Sequence, residues 1–226
     1  MTKSIALILY LFALAANICG AAFSWPLAEQ ISKPSLMPLL GLLFLLETRG
    51  QSSALKTWII TALFFSWAGD ILLMFQEKNE LYFLLGLSAF LLAHVSYIIF
   101  FHRIRMLEKL GSKGWLVLPV AVYYATLIIW LSPYLGDKKI PVRVYGLVIS
   151  IMLLLALHLM NSLNKKAARL MVAGALLFVM SDSLLAINKF YHPFPGAGVI
   201  IMLTYGLAQL WISQGAARYI RESNSV

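Results

Sequence analysis

The chain has 226 residues and a formal net charge of +9, with 61% hydrophobic residues and 12% charged ones. Its mean hydropathy of +0.84 excludes a water-soluble globular domain and predicts an integral membrane protein. The single cysteine, Cys19, excludes an intrachain disulfide, and the four histidines lack the paired spacing of a zinc site.

A membrane-spanning helix needs about 20 mostly apolar residues, and the chain offers eight such segments: 4–23, 30–47, 57–75, 81–101, 115–132, 142–160, 170–188 and 198–217. The expected fold is all-α, a polytopic membrane helix bundle of about eight transmembrane helices forming one domain over 1–226. The first segment follows Lys3 and ends near Gly20-Ala21-Ala22, the pattern of a cleavable signal. Because the chain starts at Met1, that helix is expected to be retained. Pro34 and Pro38 punctuate the second segment and suit a first helical turn, where a missing N–H is not needed. A re-entrant segment is the alternative there.

Eight spans put both termini on one side. That side carries Lys3, Arg49, Lys56, Arg103, Arg105, Lys109, Lys113, Lys165, Lys166, Arg169, Arg218 and Arg221, against Lys33, Lys78, Lys138, Lys139, Arg143 and Lys189 on the other. The richer side is expected to be cytoplasmic. The positive charge then reports topology and attraction to anionic membrane lipids, and no basic-aromatic module points to nucleic acid. On the opposite face Lys33-Pro34-Ser35 opens the second span. A helix N-terminus and an ammonium together attract a phosphate or carboxylate there, unless Lys33 only snorkels. Arg143 offers the same pair of readings.

Asp70 and Asp182 interrupt the third and seventh spans. A carboxylate in a lipid-length helix costs roughly 2.5 to 3.5 kcal/mol on the insertion scale, so such residues mark function. Each follows the last cytoplasmic cation of its helix by 14 or 13 residues, roughly 20 Å, which leaves both about 10 Å from the far side. Asn17 falls in the same layer. The segments Gly69-Asp70-Ile71-Leu72-Leu73 and Ser181-Asp182-Ser183-Leu184-Leu185 resemble each other and suggest a four-plus-four parallel repeat. Two like charges in one low-dielectric pocket are not both carried cheaply, so one carboxyl is expected to keep its proton and the other to be anionic, an acid and a base. Packing through interhelical hydrogen bonds is the alternative use of such residues.

A second polar layer is expected deeper. His94 and Tyr97 share one face of the fourth span, and Tyr205 and Gln209 one face of the eighth, about 17 to 21 Å from the far side.

At these residues the chain resembles a known family. Gly69-Asp70-x-Leu72-Leu73, His94-Val95-Ser96-Tyr97, Gly174 to Ala186 with Ser181-Asp182 at its centre, and Tyr205-Gly206-Leu207-Ala208-Gln209 look like the signature segments of the YhhN family, which contains the lysoplasmalogenases. Lys33-Pro34 also fits, and the resemblance runs from about Lys33 to Gln209. It implies hydrolysis of the vinyl ether of a lysoplasmalogen, a lysophospholipid substrate, to a fatty aldehyde and glycerophospho-ethanolamine or -choline, without a cofactor. Asp70 and Asp182 would be the catalytic acid/base pair. Lys33, Asn17, His94, Tyr97, Ser181, Tyr205 and Gln209 would bind substrate, with the headgroup near Lys33. The expected location is a bacterial inner membrane; oligomeric state is left open.

Two other functions use similar residues. A proton-coupled transporter places acids within its helices. An intramembrane aspartyl protease needs two facing aspartates, but Trp67-Ala68-Gly69-Asp70 has Trp67 where its Gly-x-Gly-Asp motif has glycine.

Overall fold

The computed structural model describes residues 2–223, all of whose regular structure is helical. Eight long helices alternate in direction: α1 (Lys3–Phe23), α2 (Pro26–Glu47), α3 (Leu55–Met74), α4 (Glu80–Leu107), α5 (Val117–Leu131), α6 (Lys139–His158), α7 (Lys165–Ala186) and α8 (Ala197–Ser223). Seven of the eight are long and apolar enough to cross a membrane, taken with their flanking turns. The exception is α2, which is 22 residues long but carries Glu29, Lys33 and Glu47 among its leucines.

The helices pack mainly as sequential antiparallel pairs, and α8 also touches α1, α2 and α3. Association of apolar helices in lipid relies on close fit, because burial of leucine gains little from a solvent that is itself apolar. Small residues provide that fit between α7 and α8. A Cβ on Gly174 would stand 2.8 Å from the Ala208 carbonyl oxygen, and one on Gly215 would stand 2.8 Å from that of Ala167. Between α3 and α4, Gly69 leaves room for the ring of Phe90. The first helix is a full member of the bundle: Tyr10 donates to the Gly206 carbonyl of α8 at 2.8 Å.

Several boundaries differ from the sequence expectation. The α4 helix continues past residue 101 to Leu107, where Arg103 lies over the Trp58 ring and Arg105 donates to the Leu110 carbonyl. Beyond Ala186, α7 runs into a π turn over Ile187–Tyr191. The α2 helix starts at Pro26, and it is Pro26 that takes the first-turn position. Pro34 and Pro38 lie inside this continuous helix. Pro38 cannot donate to the Pro34 carbonyl, and the Trp67 indole of α3 does so instead at 3.0 Å.

Candidate active site

The two aspartates face one cavity of about 90 Å³ near the end of the bundle that holds Lys33. Asp70 reaches it from α3 and is 2% exposed, and Asp182 reaches it from α7 with its side chain 14% exposed. Lys33 and Tyr205 share the lining, and most of the remaining wall is apolar. Charge acts on Asp70 from two directions, attraction from Lys33 and repulsion from Asp182.

Each carboxylate accepts a tyrosine hydroxyl brought by another helix. Tyr205 of α8 donates to Asp70 Oδ2 at 2.7 Å. Behind it, Gln209 donates to Ser66 Oγ at 2.9 Å and reaches the Tyr205 oxygen at 3.5 Å, while Tyr97 donates to Gln209 Oε1 at 2.5 Å. This chain ties α3, α4 and α8 together around Asp70. The ring of Phe90, seated over Gly69, meets Tyr205 edge-on at 5.8 Å between centroids. The glycine before Asp70 therefore helps to set the position of the hydroxyl that binds it.

Asp182 is held differently. Tyr145 of α6 donates to its Oδ2, and His94 Nε2 of α4 stands 3.2 Å from the same oxygen and 2.8 Å from the Tyr145 hydroxyl. The imidazole is fully buried against Phe178, and its Nδ1 has no hydrogen-bond partner among the described residues. The Nε2–H tautomer is the one that lets His94 donate to the carboxylate.

The predicted residues divide into three groups. Asp70, Asp182, Lys33, Ser181 and Tyr205 line the cavity, Ser181 also donating to the Ile201 carbonyl at 3.1 Å. His94 and Gln209 stand behind it as hydrogen-bond partners of the lining, and Tyr97 stands one step further back as the partner of Gln209. Asn17 is not brought to the cavity: its amide donates to Ser32 Oγ at 3.0 Å in the α1–α2 seam.

Two expectations need correction. His94 does not belong to a separate deeper layer, because it touches Asp182 directly. Counting from Glu80 overstated the offset, since Phe90 packs at the level of Gly69 and His94 is only one turn further along α4. Lys33 does not sit at a helix N-terminus either. With α2 starting at Pro26, Lys33 is two turns inside it, roughly 10 Å along the axis, so its side chain alone supplies the positive charge. Arg143 is exposed and donates to Ser132 Oγ at 3.1 Å.

Tyr145, Ser66 and Lys189 were not anticipated. Lys189 lines the cavity and lies 3.8 Å from Glu77 and over the Phe83 ring. Tyr145 had a usable signal: it is six residues from the start of α6, about 9 Å, the depth assigned to the aspartates from that side.

A polytopic helical membrane protein with two carboxylates on one intramembrane cavity is the class that fold and site define. The family model of the YhhN family matches residues 28–216, and the chain belongs to that family. It is 32% identical over 163 residues to the rat protein "Lysoplasmalogenase TMEM86B", covering 72% of this chain and 63% of that one. It is 31% identical to "Lysoplasmalogenase" of Mycobacterium tuberculosis, covering 71% of this chain and 60% of that one, and 31% identical to human "Lysoplasmalogenase TMEM86B" over 80% and 73% respectively. The matched chain thus spans less than two thirds of the rat and mycobacterial relatives. No solved structure matches it significantly.

Proposed function

We propose that the protein is a membrane hydrolase that cleaves the vinyl ether of a lysoplasmalogen, releasing a fatty aldehyde and a glycerophospho-ethanolamine or -choline. The observation that carries this reading is the convergence of Asp70 and Asp182 on one apolar cavity that also contains Lys33. The names of the relatives support the substrate class.

Vinyl ether hydrolysis requires a proton at the β-carbon, stabilisation of the resulting oxocarbenium ion, and a water added at the α-carbon. The hemiacetal so formed then loses the glycerol oxygen as an alcohol and leaves an aldehyde. Asp70, in the drier setting with a single hydroxyl donor, acts as the acid. Asp182, with Tyr145 and His94 both directed at Oδ2, acts as the carboxylate that faces the cation and takes a proton from water. Two carboxyls share the work around a similar cation in glycoside hydrolysis. Lys33 holds the phosphate. The richer cationic end at residues such as Arg103, Arg105 and Arg169 is cytoplasmic in this reading, so the cavity lies in the outer half of the membrane.

The test is mass spectrometry of a lysoplasmalogen incubated with detergent-purified protein. Free aldehyde with an intact glycerophospho headgroup is the expected product. Free fatty acid from the matching ester lipid alone would establish an esterase instead, and accumulation of unchanged lipid in sealed vesicles would establish a transporter.

A further inference from the structure

The central cavity holds about 90 Å³, about three waters' worth of liquid volume. That space accepts the reacting atoms and a few carbons, and a long alkyl chain has to leave it. Two larger spaces adjoin it. One, of about 440 Å³, shares Lys33 and Leu73 with the central cavity and is lined by Glu29, Gln30, Gln76 and Glu77. Ala21, Pro26, Leu73 and Met74 also belong to its wall, but its charged and amide groups make it a vestibule for a headgroup more than for a hydrocarbon.

The other space, of about 380 Å³, shares Leu87 and Tyr145 with the central cavity and lies between α4 and α6. Leu84, Leu91, Ile140 and Val144 form the rest of its apolar wall. Its two hydroxyls are already engaged, Ser88 with the Leu84 carbonyl at 2.8 Å and Tyr145 with Asp182. Ile140 is 75% exposed and Val144 47% exposed, so the cleft opens on the side of the bundle. A space with no free donor, bordered by the Leu87 and Tyr145 side chains that also border the cavity of the carboxylates, and open on the side of the bundle, suits an alkyl chain.

We propose that the α4–α6 cleft holds the hydrocarbon chain of the substrate and is its lateral route to and from the membrane, so that Leu91 and Val144 set chain-length preference. The proposal rests on the lysoplasmalogen reading for the substrate, but not for its first test. In that test a lysoplasmalogen with a photoreactive diazirine at the far end of its alkenyl chain is crosslinked to the whole protein, and the labelled peptides are mapped. Label within 84–91 or 140–144 is expected, whether or not the lipid is turned over. Label on the α1–α2 vestibule, or spread evenly over lipid-facing helices, would overturn the cleft.

In the second test Leu91→Trp and Val144→Trp, on different helices, fill the same space. Each is expected to lower the ratio of kcat/KM for a long-chain over a short-chain lysoplasmalogen by about tenfold. Leu118→Trp, on the exposed face of α5, should leave that ratio unchanged. An unaltered ratio in both cleft variants would count against the proposal. Wild-type protein that releases no aldehyde from either substrate would instead refute the hydrolase reading, and the crosslinking map would still decide the cleft.

Discussion

Asp70 and Asp182 are the same residue on two helices that run the same way, yet their surroundings differ in kind. Asp70 is almost sealed, accepts one tyrosine hydroxyl, and is backed by a chain of Gln209, Tyr97 and Ser66. Asp182 keeps a partly open side chain and receives two donors on one oxygen. The hydroxyl donors also come from different helices, Tyr205 from α8 and Tyr145 from α6. Two segments that resemble each other thus hold two unlike carboxyls, as the proposed acid and base would require, because their neighbours differ.

The comparison can be broken most forcefully by removing either carboxyl group. Asp70→Asn and Asp182→Asn, each shown to elute as folded protein, should lower aldehyde release by about a thousandfold. Normal turnover in either would remove that residue from the chemistry. The two tyrosines sharpen the contrast. Tyr205→Phe deletes the described hydroxyl donor of Asp70, whereas Tyr145→Phe leaves His94 on Asp182. A hydrogen bond to a charged group contributes about 2 kcal/mol, so Tyr205→Phe should reduce kcat by roughly thirtyfold and Tyr145→Phe by less. Equal losses would mean that the two sites are supported alike. The smallest effect is expected at Lys33, where Lys33→Met should raise KM about tenfold with little change in kcat, as for a group that binds ground and transition states equally. A loss confined to kcat would place Lys33 in the chemical step.

The aspartates were legible in the sequence because a carboxylate in lipid is costly enough to need a reason, and because depth can be counted along a helix. Tyr145 was missed although its depth matched theirs, since a tyrosine in an apolar helix reads equally as a packed ring, and its partner is what separates the two readings. His94 was found but misplaced, because counting from helix ends ignores how two helices are staggered, which is set by contacts such as Gly69 with Phe90. Asn17 was assigned by depth alone, and depth does not say which way a side chain faces. For Lys33 the error lay in the prolines. Pro34 and Pro38 were read as a helix start, whereas a neighbouring helix supplies a bond that the second of them removes.

That supplied bond has a consequence for Lys33. A proline-interrupted helix has fewer internal hydrogen bonds to resist bending, and Lys33 rides on that segment of α2. Its placement is therefore delegated to neighbours, to Ser32 braced by Asn17 on one side and to the Pro34 carbonyl braced by the Trp67 indole on the other. Trp67, the residue that spoils the likeness to an aspartyl-protease motif, works as a strut. Glycine at that position, three residues before Asp70, would remove the brace on the Pro34 carbonyl and leave Lys33 to the Ser32–Asn17 contact alone.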